Sequence, residues 1–413
     1  MTAPKLRFPT SDELEVSSWQ EISLSNLAQE IFGGGTPPKQ HTEYWSGNLP
    51  WISSSDLFLN DIHSIKLSKF ITKEAVKNSA TKKVPKGSVL VVSRVGVGKV
   101  ALAKEDLYTS QDFTNIITPS CDSTFLAYSL SKMMAKKVTS VQGSAIKGIP
   151  SEEIKEYHIR VPRKEEQQKI AAFFTALDRR IENCEKRLVT LEQLKKGLLQ
   201  KMLSSNSRTL PEIRFKGFEG SWKAYKLSEV LDEIYVGQTP RRNHKEFWNG
   251  AINWLSSRDL TRGFVEETAE KITNVGMKST RLRIVPNGTV VIAMIGLDAE
   301  NTRGNCGILK IDSTVNQSCA ALIPKKDKII PEFLFHWYRF FGNDLALHYT
   351  QGTKQQNYNV DILSILPIHI PSLEEQKKIS AILSTIDEQI VNGEKTKNNL
   401  IRLKNGLLQQ MFI

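Results

Sequence analysis

The 413-residue chain has only four cysteines, Cys121, Cys184, Cys306 and Cys319, with no CxxC pair and no histidine at ligand spacing. Neither a disulfide framework nor a zinc site is expected, and reduced thiols fit better. No apolar run is long enough to span a membrane, and the opening MTAPKLRFPTSDELEVSSW lacks an apolar signal core. The expectation is a cytoplasmic protein with no membrane partner. Catalytic signatures are also missing: there is no HExxH, no GxSxG and no two-carboxylate constellation, and the seven histidines are isolated. RVGVGKV (Arg94–Val100) falls short of a phosphate loop, with Ser93 where a glycine belongs and Val100 where a hydroxyl belongs. FGGGTP (Phe32–Pro37) lacks the strand–glycine–helix spacing of a dinucleotide site. TPPK (Thr36–Lys39) lacks the flanking acid or amide and the aromatic of an amino-methyltransferase motif.

What is present is an ordinary core composition, 40% hydrophobic and 24% charged, and a net charge of +12. The excess is +2 over residues 1–158, +6 over 159–208, +3 over 209–367 and +1 over 368–413. A modest positive excess on folded segments, without a basic tail, suits a specific nucleic-acid binder.

The chain is written twice. Ile159–Leu203 and Ile368–Phe412 match without gaps at an offset of 209, with 21 identities in 45 positions. Upstream, Pro4–Phe8 matches Pro211–Phe215, Trp19 matches Trp222, and Gly35–Leu57 matches Gln238–Leu260. Lys86–Val92 matches Asn287–Ala293, and Gln142–Ser144 matches Gln351–Thr353. The organisation is domain (1–158), helix and linker (159–208), domain (209–367), helix (368–413).

Each repeated helix follows a proline and opens on acidic residues, Glu165–Glu166 and Glu374–Glu375, which complement the helix dipole. Apolar residues then recur at steps of four and three and at sums of them. The first seam is Ile170, Phe174, Leu177, Ile181, Leu188, Leu191 and Leu198. The second is Ile379, Leu383, Ile386, Ile390, Leu400 and Leu407. Some forty helical residues span roughly 60 Å, more than one domain of this size covers, so each stripe calls for the other helix. A short linker and a compact domain return the chain most simply to an antiparallel partner. Gly197 and Gly406 mark either a close helix approach or fraying near the helix ends. The fold expected is α+β: two tandem-duplicated globular domains joined by two long antiparallel coiled-coil helices with pseudo-twofold symmetry.

The candidate contacts to DNA lie in the two Thr-Pro loops and in the segments where the copies diverge. TPPKQHTEYW carries Lys39, Gln40 and His41, and TPRRNHKEFW carries Arg241, Arg242, Asn243, His244 and Lys245. Basic and amide side chains beside aromatics suit phosphates and base edges. Trp45 and Trp248 read as anchors to the core, and His41 and His244 as surface loop residues rather than catalysts. Residues that specify different half-sites belong where the copies differ, at 58–84 against 261–285 and at 94–108 against 296–310. Arg94, Lys99, Arg303 and Asn305 are candidates there, as are Lys147, Lys354, Gln355 and Gln356 after the shared Gln-Gly turn. Two other readings stay open: a nuclease using Asp56 and Asp259, and a purely structural coiled-coil adaptor.

The blocks GxTP…W.G…W opening each half, QG[ST] before each helix, I.[VI]P…EEQ.KI starting it and LK.GLLQ.M ending it resemble the specificity subunits of type I restriction–modification systems. That resemblance implies two target recognition domains, each reading one half of a split asymmetric site in double-stranded DNA. It implies a subunit that is not itself catalytic and binds no cofactor. Two modification subunits would bind S-adenosylmethionine and methylate adenine, and motor-nuclease restriction subunits would use ATP and Mg. The first copy, GGGTPPKQ, departs from the second, GQTPRRN, by an added proline and a lost arginine.

Overall fold

The computed structural model describes residues 4–8, 19–140, 148–203, 210–297, 302–350 and 357–412. Two compact units result: Met1–Lys186 with Lys395–Ile413, and Arg187–Glu394. Each therefore takes a globular domain, the first half of one long helix and the last half of the other. The long helices run Lys164–Met202 and Leu373–Met411.

In the first unit, Val89–Val92, Phe113–Ile117, Glu30–Gly33 and Val100–Leu102 form one four-stranded antiparallel sheet. A second, mixed sheet joins Lys69–Ile71, Leu49–Ile52, Leu107–Thr109 and Lys83–Val84. In the second unit, Leu231–Val236, Cys319–Pro324, Val290–Ala293, Cys306–Leu309 and Gly263–Val265 make a five-stranded sheet, and Glu270–Ile272, Trp248–Leu255 and Thr314–Val315 a three-stranded one. The central strands, VLVV and VVIA, are buried along their whole length. This is why they read as continuous β-branched runs rather than alternating ones. One domain helix covers the antiparallel sheet of the first unit, Ser123–Ser140, and another the five-stranded sheet of the second, Pro331–Tyr349. Trp19 packs edge-on to Phe125 and Trp222 to Phe333, the same joint in both copies.

The strand before each long helix belongs to a sheet. His158–Val161 pairs with Gln20–Ser23, and Pro367–Ile370 with Lys223–Lys226. Residues 159–161 and 368–370 are thus ladder residues, and the helices start three or more residues later than the expected segment boundaries. The EEQ word sets the helix start. Glu166 accepts from Arg7 Nε (3.0 Å) and Nη2 (2.6 Å), and Glu375 accepts from Arg214 Nε and Nη2 at 2.8 Å. Gln167 and Gln376 accept from the backbone of Asp122 and Ile330, where the domain helices begin, and donate to Pro162 and Pro371. The preceding acid of each pair, Glu165 or Glu374, stays exposed.

The pairing of the long helices is antiparallel within each unit. Phe174 packs on Phe412 while Asp178 meets Lys404; Leu188 lies against Gly393 while Lys195 meets Asp387. The seam differs from the expectation in three respects. Its first members, Ile170, Phe174, Ile379 and Leu383, are buried in the cores of the domains as well as against the other helix. Leu191, Leu198, Leu400 and Leu407 are only half-buried, as are Ile181 and Ile390, whereas Leu177, Leu188 and Ile386 are buried. Finally, the stripe is broken by a buried lysine in each helix, Lys195 and Lys404. The two helix glycines are neither close approaches nor frayed ends: an added Cβ at Gly197 or Gly406 meets nothing within 4 Å, and each helix continues past it. The close approach is at Gly393, where that Cβ would lie 2.8 Å from Leu188 Cδ2.

Glu375 is 1% exposed and bonded twice to a single guanidinium. Glu375→Gln is expected to cost about 2–3 kcal/mol in chemical denaturation. Glu374→Gln, one residue earlier and exposed, should stay within about 0.5 kcal/mol of the parent.

Candidate nucleic-acid interface

Both Thr-Pro loops are built to one plan. Thr36 donates to Gln111, and Thr239 to Gln317. The Trp51 indole donates to Gly35 O (3.0 Å) and the Trp254 indole to Gln238 O (3.1 Å). Trp45 stands edge-on to Trp51 at 5.0 Å, and Trp248 to Trp254 at 5.1 Å. Both outer tryptophans are part-buried and serve as anchors. His41 stacks on Tyr44 and bonds Glu43; His244 stacks on Phe247 and bonds Glu246. The histidines are thus tied within the loop. The turn also leans on the end of the divergent segment, where Lys82 lies over the Phe32 ring at 5.9 Å and Arg283 over Tyr235 at 4.4 Å. Sequence reasoning missed this pair, because Lys82 and Arg283, like Phe32 and Tyr235, differ between the copies.

Exposed side chains on these loops are Lys39, Gln40 and His41 in the first unit and Arg241, Arg242, Asn243 and Lys245 in the second, with His244 half-exposed. Arg242 is held internally. Its guanidinium lies 3.9 Å over the Trp248 ring and forks onto Glu270. In the first copy Lys39 takes the place of Arg242 and Lys69 that of Glu270, so the fork cannot form. Lys69 instead sets its ammonium 5.5 Å over Trp51, where Arg242 lies 5.0 Å from Trp254. The altered GGGTPPKQ word therefore keeps a cation over the inner tryptophan while leaving Lys39 outside a fork.

The candidates in the divergent segments separate. Arg94 is exposed. Lys99 donates to Ser54 O at 2.8 Å, within the SSSDL turn that Asp56 caps. Arg303 and Asn305 surround Arg262, which bonds the carbonyl of the first and the amide oxygen of the second; Arg303 Nε donates to Leu297 O. These two buttress a loop. Lys147, Lys354, Gln355 and Gln356 lie outside the described residues.

Asp56 and Asp259 are caps. Asp56 accepts from Ser53 N (2.8 Å) and Oγ (2.7 Å), and Asp259 from Ser256 N (2.8 Å) and Oγ (3.0 Å) and from Ala269 N. Among the described residues no three His, Cys, Asp or Glu cluster as for a metal ion, and no helix is long and apolar enough to cross a membrane.

Two α+β units with matching Thr-Pro loops are the architecture in which the family comparison can be placed. The family model described as type I restriction modification DNA specificity domain matches residues 16–193 and again 219–403. The chain belongs to that family. It is 25% identical over 403 residues to the MjaIX specificity subunit of Methanocaldococcus jannaschii, covering 95% of this chain and 92% of that one. It is 30% identical over 178 residues to the EcoR124I/EcoR124II specificity subunit of Escherichia coli, covering 42% of this chain and 43% of that one. In fold it is similar to the crystal structure of a type I restriction–modification S subunit from M. genitalium, with a TM-score of 0.66 at 16% identity, covering 100% and 99%. As a type I specificity subunit, the chain carries two DNA-recognition domains, one per unit.

Because Asp259 caps a turn with three hydrogen bonds, Asp259→Ala should lower stability by about 1–2 kcal/mol. The loss should be the same in Mg²⁺ and in EDTA. A loss that appears only with the metal would reinstate the carboxylate as a metal ligand.

Proposed function

We propose that each unit reads one half of a split site in double-stranded DNA and that the long helices set the interval between halves. The subunit performs no chemistry on the DNA. It carries two modification subunits that use S-adenosylmethionine to methylate adenine, and restriction subunits, driven by ATP and Mg, join that assembly. The observation that supports this most directly is the repeated Thr-Pro loop, one per unit. Each loop has the same buried tryptophan frame and a different exposed set, Lys39–Gln40 against Arg241–Asn243–Lys245. A fixed frame with interchangeable tips suits two readers of unlike half-sites.

The frame also argues against a nuclease reading, since the two shared aspartates are consumed in capping turns. A purely structural adaptor would leave the exposed basic tips without a role.

The test is co-expression with the modification subunit encoded alongside, followed by mapping of methyladenine. Two short sequence blocks around a fixed gap are expected, and methylation at continuous sites would overturn the reading. In binding assays, Lys39→Ala and Lys245→Ala should each lower the salt slope by about one unit while leaving the preferred sequence unchanged.

A further inference from the structure

The aspartates at repeat positions 178 and 387 each join three elements of their own unit. In the first unit, Asp178 on one long helix accepts from Lys404 Nζ on the other at 2.6 Å. It also accepts from Tyr128 Oη on the domain helix at 2.6 Å, and His63 Nε2 lies 3.8 Å away. In the second unit, Asp387 pairs with Lys195 on the opposite long helix and with Arg339 Nη1 on the domain helix at 2.8 Å. Lys195 and Lys404 are 6% and 7% exposed and occupy the same position in the LK.GLLQ word. Lys404 reaches further, donating to Asn60 O in the domain at 3.1 Å.

A lysine buried in an apolar stripe carries a desolvation cost that a leucine at the same place would not. Buried polar groups in helix seams have one well-attested use, which is to select direction and register. Here the arrangement does more, because each carboxylate also holds the domain helix. Slippage by one turn in either unit would break the ion pair and the domain tether together.

We propose that Asp178–Lys404 and Asp387–Lys195 are positioning residues for DNA recognition. They hold the register of the helix pair within each unit and seat that unit's reading domain on it, and so set which half-site separation the chain accepts. This rests on the split-site reading above. The two nodes are not equal. Asp387 neutralises two cations, Lys195 and Arg339, whereas Asp178 neutralises Lys404 beside a phenol. Neutralising Asp387 therefore leaves buried Lys195 and part-buried Arg339 without their shared counter-charge, and neutralising Asp178 leaves Lys404 alone.

The test uses the full chain in complex with its modification subunit and duplexes whose half-site separation changes by one base pair. One base pair turns the second half-site by about 36°, so the parent should lose at least about tenfold in affinity per step. Asp387→Asn should reduce that discrimination to within about threefold, with Asp178→Asn in between. Val291→Ala, a core change in the second unit's sheet, should keep the parent's discrimination despite its lost stability. Exchanging charges in the first node (Asp178→Lys with Lys404→Asp) should restore discrimination. The same exchange in the second node should not, because Arg339 would then face a lysine. Aspartate variants that discriminate as sharply as the parent would overturn the proposal. A parent with no separation preference would instead sink the split-site reading. The positioning role is then judged on the free chain, with spin labels at the exposed Leu194 and Ile382 and Cys184→Ser. The distance distribution should broaden in Asp387→Asn, and an unchanged distribution overturns the role.

Discussion

A 39-residue helix with an apolar stripe cannot remain solvated along its length, and the rest of the structure follows from how that stripe is covered. Neither the parent domain nor the other helix alone covers it. Ile170 and Phe174 are closed over by Phe125 and Tyr128 of the domain helix together with Phe412 from the end of the other long helix. Ile379 and Leu383 sit in the core that also takes Leu199 and Met202. The start of one helix thus needs the end of the other, and both need the domain. This is why the division into compact units cuts across both long helices rather than separating helices from domains. It also explains the repeated words LKKGLLQKML and LKNGLLQQMF: the first closes the core of the domain that follows it, and the second closes the core of the domain at the far end of the chain.

Much of this was legible in the sequence, and the parts that were not have identifiable reasons. The duplication, the helix starts after Pro162 and Pro371, and the Thr-Pro frame are local signals, carried by residues near one another along the chain. The strand orders are not local. Val290–Ala293 pairs with Cys306–Leu309 on one side and Cys319–Pro324 on the other, and nothing in the runs themselves distinguishes the two. The arginine–glutamate pairs at the helix starts escaped for the same reason, since Arg7 and Glu166 are 159 residues apart. Lys195 and Lys404 escaped because a lysine beside a leucine on a charged helix reads as solvated. Only the aspartate that arrives from the opposite helix makes its burial tolerable. The contacts of Arg303 and Asn305 are equally non-local. They lie in a variable segment, and Arg262, 41 and 43 residues earlier in the chain, donates to the Arg303 carbonyl and the Asn305 amide oxygen.

The two copies also show which features the duplicated structure holds constant. Over the inner tryptophan there is a cation in both units, supplied by Lys69 from a neighbouring strand in one and by Arg242 from the loop in the other. Behind each seam aspartate there is a donor from the domain helix, Tyr128 in one and Arg339 in the other. In both cases the residue and its place in the chain have changed, yet a donor still reaches the same group. Such replacement is tolerated where the geometry of a joint matters more than the chemistry of any one partner. Exposed loop tips have no such joint to preserve, and there Lys39–Gln40 and Arg241–Asn243 differ in charge, shape and donor number. A protein that must present unlike tips from like frames is free to vary at the tips and constrained at the joints.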